Sequence, residues 1–143
     1  MARIPPHDLD AEEAWLGAAM IRSEVAVDLE PEDFYREAHR LIFRAVRFLR
    51  RQGQVPDGVL VAAELNRRGL LADAGGHHYV HALIAGVPVA ANAPHYAEII
   101  RRHSKARSVL EALTIAAVAL YDHAEPADVL ADLLAALPVA PQD

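Results

Sequence analysis

The chain has 143 residues, 53% of them hydrophobic, with 14 basic and 20 acidic side chains and a net charge of −6. That length makes one domain, or one domain with an appendage, and buries enough apolar surface to fold without metals or disulfides. The lack of cysteine excludes a disulfide framework and a thiolate zinc site, and net acidity argues against a general nucleic-acid binder, although clustered basic residues leave local patches open.

The N-terminal stretch "MARIPPHDLD" contains no apolar run, so no secretory signal is read there. The longest uncharged apolar run, "ALTIAAVALY" (residues 112–121), is too short to span a bilayer. A soluble cytoplasmic protein with no membrane contact is expected.

Asp10 is placed to N-cap a first helix, with Glu13 at the reciprocal position of a capping box. Trp15, Leu16, Ala19 and Met20 then share a face. "SEVAVDLE" is a short connection, and Pro31 opens a turn into the next helix, "PEDFYREAHRLIFRAV" (residues 31–46) and beyond. In it Ala38, Leu41, Ile42, Ala45, Phe48 and Leu49 recur at helical spacing, and Gly53 is a plausible stop. Asp57 can cap "GVLVAAELNRR", which ends at Gly69. "GGHHYVHALIAGV" reads as a further short helix, broken at Val87-Pro88. The nearest rival to helix is "QVPDGVLVAAEL", whose length and cap still favour helix.

From Asn92 the pattern lengthens. Asn92 is a good N-cap, Pro94 fits a first turn, and a helix of up to about thirty residues can follow. Tyr96, Ile99, His103, Ala106, Leu110, Leu113, Ala117 and Leu120 alternate by three and four, which is heptad spacing. Pro126 marks a turn. A last helix carries Val129, Leu130, Leu133, Leu134 and Leu137, and "PVAPQD" reads as a frayed tail. The expected fold is all-α: a compact helical head over residues 1–91, then a helical hairpin with a short tail over 92–143.

The hairpin's first arm begins one-sided, with Glu98, Arg101, Arg102, Lys105 and Arg107 leaving only a stripe apolar. Later Val109, Ala112, Ile115, Ala116, Val118 and Ala119 fill the other faces as well. A helix apolar all round is buried all round, and one short return arm cannot cover it. Either the head folds over it or another chain does. Exposed apolar hairpins usually mark interfaces, so Leu110, Leu113, Ala117, Leu120 and Leu133 are expected to line a hairpin or inter-chain seam.

Catalytic machinery is not legible. There is no GxxxxGK[ST] or GxGxxG loop, and "DAGGHH" lacks the lysine and hydroxyl that hold a nucleotide phosphate and its Mg²⁺. ATP hydrolysis is therefore not expected, and no catalytic, cofactor or metal residue is assigned. His77 and His81 share a face at i,i+4 beside His78, but zinc needs a third ligand and an ordered outer shell. His39 reads as a core-edge histidine holding a backbone group. Arg36, Arg40, Arg44, Arg47 and Arg51 form a stripe opposite Leu41 and Phe48. It is either a docking face for an acidic partner or phosphates, or a solvated face paired with nearby carboxylates.

Four segments in order carry a resemblance: "RIPPHDLDAEEAWLGAAM", "PEDFYREAHRLIFRAV", "VLVAAELNRRGLLADAGG" and "VPVAANAPHYAEIIRRH". Over about residues 3–107 they resemble the N-terminal domain of DnaB-type replicative DNA helicases, and residues 75–84 look closest to actinobacterial or phage members. The later hairpin resembles the family mainly in pattern. The resemblance implies a helical head and a hairpin, with hairpins pairing two subunits and three pairs forming a collar over a hexameric motor. It implies docking of the C-terminal helicase-binding domain of primase, and an ATPase motor on a separate RecA-like domain that these residues do not supply. "SEVAVDLE" is shorter than the family's usual connection, Trp15 stands where a small aliphatic is usual, Arg47, Arg50 and Arg51 replace a more mixed pattern, and the second arm is short. The expected role is thus an oligomerisation and docking module of DNA replication, partnered by itself as a dimer or trimer of dimers and by primase, with DNA binding weak or indirect. The competing reading is a stand-alone nucleic-acid-binding protein using the arginine stripe and residues 101–107.

Overall fold

A computed structural model of the chain describes residues 3–138. Of the "PVAPQD" tail, only Pro138 lies within the described residues. Those residues form helices α1 (Leu9–Ile21), α2 (Glu37–Arg51), α3 (Gly58–Arg67), α4 (Gly76–Ala85), α5 (Ala93–Tyr121) and α6 (Pro126–Ala136), with short 3₁₀ turns at Pro31–Asp33 and Ala90–Asn92. The described chain is all-α.

The central element is α1, packed by α2, α4 and the first half of α5. From Ala11 to Met20 every residue but Glu13 is buried, not only the face read from the sequence. Its cap is Asp8, whose Oδ1 accepts from the Ala11 amide at 2.9 Å. Asp10 falls instead in the first turn, where its charge suits the positive end of the helix dipole. Glu13 does not fold back as a capping-box partner. Trp15 meets Phe34 and Phe43 with ring centroids 5.9 and 5.6 Å apart, the aromatic centre of the core. Gly17 lets α4 lie directly against α1: a Cβ there would sit 2.2 Å from the Leu83 carbonyl oxygen.

Residues 31–46 are not one helix. The 3₁₀ turn gives way to extended backbone at Phe34 and Arg36 before α2 begins at Glu37. Gly53 and Gly69 end α2 and the α3 segment with φ of +75° and +71°, as the stop signals implied. Asp57 caps α3 by accepting from the Leu60 amide at 2.8 Å.

α5 runs 29 residues, close to the length read from the sequence. Asn92 occupies its N-cap position without accepting a side-chain hydrogen bond. Ala93, Ala97 and Ile100 bury its first half in the head core. Beyond Arg107 its companion is α6, and between residues 108 and 138 only Ala112 and Val129 are buried. The arms turn through His123, at φ +67°.

Candidate docking surfaces

Glu12 and His39 are fully buried on α1 and α2. Glu12 Oε1 lies 2.8 Å from His39 Nδ1, and its carboxylate accepts from the Tyr35 and Arg36 amides at 2.8 and 3.4 Å. The side chain of α1 thereby supplies the anionic cap that α2 lacks at Arg36. Tyr79 Oη lies 2.6 Å from His39 Nε2 and 3.3 Å from Glu13 Oε1, and accepts from Arg36 at 3.2 Å. Burial pushes the Tyr79 phenol upward. His39 thus bridges two side chains, not the backbone group expected of it. His39 itself is shut from solvent, and the chain of contacts braces α1, α2 and α4 against one another.

The arginine stripe is split by the fold. Arg36 stands before α2 and lies 3.7 Å from Glu13. Arg40 donates from Nε to the Phe34 carbonyl at 2.7 Å and lies 3.5 Å from Glu37. Arg47 bonds Glu30 at 2.9 Å and lies over the Phe43 ring. Arg44 and Arg51 are exposed and make no side-chain hydrogen bond or ion pair among the described residues. Arg50, outside the stripe, donates to the carbonyls of Ala19, Arg22 and Val25 and staples the end of α1. Desolvation lowers its pKa.

The hairpin presents the reverse situation. Leu110, Leu113, Ala117 and Leu120 of α5 are exposed, the three leucines by 47–48%. Val118, Tyr121, Leu130 and Leu134 extend this apolar surface onto both arms. Leu133 is separate: it is half-buried and lines a groove of about 180 Å³ between the arms with Ala112, Ala116, Ala119 and Val129. The structure therefore divides the five expected seam residues between the seam within the hairpin and its open face.

The joint between hairpin and head was missed from the sequence. Arg107 donates to the carbonyls of Pro6 and Asp33 at 2.9 and 2.8 Å and lies over Tyr35, whose other partner is the stacked ring of His7 at 4.0 Å. Desolvation lowers the Arg107 pKa. Ser104 donates to Asp33 at 2.8 Å, and Arg101 lies 3.4 Å from Asp28.

His77 and His81 stack with ring centroids 4.4 Å apart. No group of three potential metal ligands forms among the described residues. A groove of about 340 Å³ beside Trp15, Val25 and Ala93 is rimmed by Arg22 and Arg101. No helix among the described residues is long and apolar enough to cross a membrane.

The described residues thus form a helical head carrying a projecting hairpin with an open apolar face. Residues 4–102 match the model of the DnaB-like helicase N-terminal domain, and the chain belongs to that family. It is 44% identical over 131 residues to the replicative DNA helicase DnaB of Mycobacterium leprae, covering 89% of this chain and 22% of that protein. With the Geobacillus stearothermophilus DnaB it shares 39% identity over 134 residues, covering 91% of this chain and 30% of the relative. The chain thus spans less than a third of the length of these relatives. The crystal structure of the N-terminal domain of DnaB helicase from Mycobacterium tuberculosis superposes with a TM-score of 0.87 at 42% identity, covering 93% of this chain and 98% of that one. A DnaB-like replicative helicase, solved in a study of its interactions with primase, shares the fold at TM-score 0.76 and 22% identity, covering 90% of this chain and 31% of that one.

Proposed function

We propose that this chain is the oligomerisation and docking domain of a replicative DNA helicase, with the projecting part of the 92–143 hairpin as the self-association surface and the 1–91 head as its rigid support. The observation that carries this reading is the open face of Leu110, Leu113, Ala117 and Leu120, extended by Leu130 and Leu134 of α6. A face of this kind costs free energy in water along its whole length. A second copy of the same face covers it, and two-fold pairing is the commonest way for identical chains to do so. Dimers then assemble as a trimer of dimers in the intact helicase. The partner beyond itself is the helicase-binding domain of primase, in keeping with the primase interactions named for the DnaB-like helicase of the same fold. ATP hydrolysis and unwinding belong to the motor of the intact protein.

Sedimentation of the purified chain tests the pairing. The wild type is expected to self-associate, and Leu113→Asp to weaken the dimer about a hundredfold, because an unpaired carboxylate would be buried in the seam. Leu113 is half exposed in the single chain, so the variant retains its fold by circular dichroism. A wild type that stays monomeric at high concentration overturns the reading. Direct nucleic-acid binding by the arginine stripe is the weaker reading, since Arg36, Arg40 and Arg47 are engaged within the molecule.

A further inference from the structure

Counting hydrogen-bond donors and acceptors around the buried pair leaves one proton with a choice. Glu12 already accepts from the backbone at both oxygens, from the Tyr35 amide at Oε2 and from the Arg36 amide at Oε1. His39 Nδ1, 2.8 Å from Oε1, is therefore the donor of that contact. The other ring nitrogen, Nε2, lies 2.6 Å from Tyr79 Oη. A phenol has one proton to give, and burial of Tyr79 favours keeping it. Arg36 only donates, so its contact with Oη at 3.2 Å occupies an acceptor lone pair. The phenol proton is left with two acceptors, His39 Nε2 at 2.6 Å and Glu13 Oε1 at 3.3 Å. These lie on opposite sides of a boundary: His39 is fully buried, whereas the Glu13 side chain is 39% exposed.

We infer that the Tyr79 hydroxyl is a two-position switch set by the protonation of His39. While the imidazole is neutral, its one N–H is on Nδ1 and donates to Glu12, and Tyr79 donates to the bare Nε2. Glu13 then keeps Arg36, at 3.7 Å, as its cationic partner. When a proton from solvent binds Nε2, both ring nitrogens donate, Oη accepts from Nε2, and the hydroxyl turns its own proton to Glu13. One proton is gained, on Nε2, and no other covalent bond changes. Arg50 Nε and His81 Nε2 are the buried side-chain atoms without a partner among the described residues, so every atom of the switch is already paired. The charged groups around the ring pull in both directions. Glu12 and Glu13 of α1 favour the second proton. Arg36 and Arg40 at the start of α2 oppose it, as does Arg107 of α5, which feels the charges of both Glu12 and Arg40. Glu12 touches the ring, and no cation is hydrogen-bonded to it, so the carboxylate outweighs any one of them. The outcome reaches the surface, because Tyr79 and Glu13 both line a cleft of about 340 Å³ with Ala14 and Leu83, between α1 and α4. A proton bound in the core thus decides whether the Tyr79 hydroxyl bonds inward or to Glu13 on that wall. The switching residues all lie in the head, so the inference stands apart from the pairing proposed above.

Ring-nitrogen NMR of the histidine-labelled chain reads both states directly. Of the eight histidines, His39 is the fully buried one. In its neutral ring Nδ1 is expected to be protonated and Nε2 bare, and acidification of the folded chain should add the proton at Nε2. Glu13→Gln, at a part-exposed position, should move that step to lower pH, since it removes a negative charge and the stronger acceptor for the hydroxyl. Tyr79→Phe separates these two effects. With the hydroxyl gone, Glu13→Gln should shift the His39 step by much less than it does in the unaltered background. The tautomer measurement uses the unaltered chain, so it stands even where Tyr79→Phe loosens α4. A neutral His39 protonated on Nε2 would overturn the switch. So would a ring that takes no second proton before the chain unfolds, or an equal Glu13→Gln shift with and without the hydroxyl.

Discussion

Glu64 lies nearly buried on α3, where Arg67 donates to both of its oxygens and Arg68 to one. The Arg67 hydrogen bonds, reinforced by Arg68, lower its pKa from 4.5 to about 2, against the desolvation that would raise it. A carboxyl depressed on folding contributes stability above its unfolded pKa and loses it as pH falls through the folded one. Stability should therefore decline between about pH 4.5 and 2 on this account, and Glu64→Gln should flatten that part of the curve in urea unfolding measured against pH. At Gly17 the argument is steric. Gly17→Ala would drive a methyl into the Leu83 carbonyl and the Val87 side chain, so the helices must separate at a cost of about 1–3 kcal/mol, read as a lowered unfolding midpoint. Asp57 and Gly53 were legible because caps and stops depend on local backbone geometry. Asp8 was passed over for Asp10, since two acids stand two residues apart and the sequence does not say which one has the extended backbone that an N-cap requires. His39 and Glu12 were not legible as a pair, because 27 residues separate them.

At the scale of elements, helix positions followed from hydrophobic spacing, but the role of each depended on its neighbours. α1 is apolar nearly all round, the same signature that singled out the hairpin, yet in α1 it means the middle of the head. The start of α2 was placed too early because Pro31 and the acids after it are equally good at opening a 3₁₀ turn. Arg107 reads from the sequence only as one charge of the solvated side of α5, for its acceptors are backbone carbonyls, which every residue carries. Its fold role is nonetheless large. It ties α5 to the segment before α1 and to the turn before α2. Arg107→Ala should remove its charge-assisted hydrogen bonds to the Pro6, Glu32 and Asp33 carbonyls and cost about 2–3 kcal/mol. Hydrogen exchange should then rise in residues 3–8 and around Asp33, while α6, which Arg107 does not touch, keeps its protection relative to global unfolding.

For the whole molecule, the proposed partner binding and the proposed self-association become one problem. A partner of ordinary affinity needs about 800 Å² of surface from each side. On the head of a single copy, the arginine stripe leaves Arg44 and Arg51 as its only members without a side-chain hydrogen bond or ion pair among the described residues. The hairpin's apolar face is the same surface that a second copy would cover. In the proposed dimer, a composite site across two copies would resolve this, since it would join parts of two heads at an edge that a single copy lacks. Primase binding is then expected to be linked to pairing. In calorimetry with the helicase-binding domain of the cognate primase, Leu113→Asp should weaken binding roughly in step with its loss of dimer, since the role proposed for Leu113 is in the seam between copies rather than against primase. Arg44→Glu with Arg51→Glu should leave pairing intact, so any loss of primase affinity in that variant would assign the two free arginines to the contact. Unchanged affinity would return them to a solvated face. Wild-type affinity in a monomeric Leu113→Asp would mean that one copy suffices, and would separate docking from assembly.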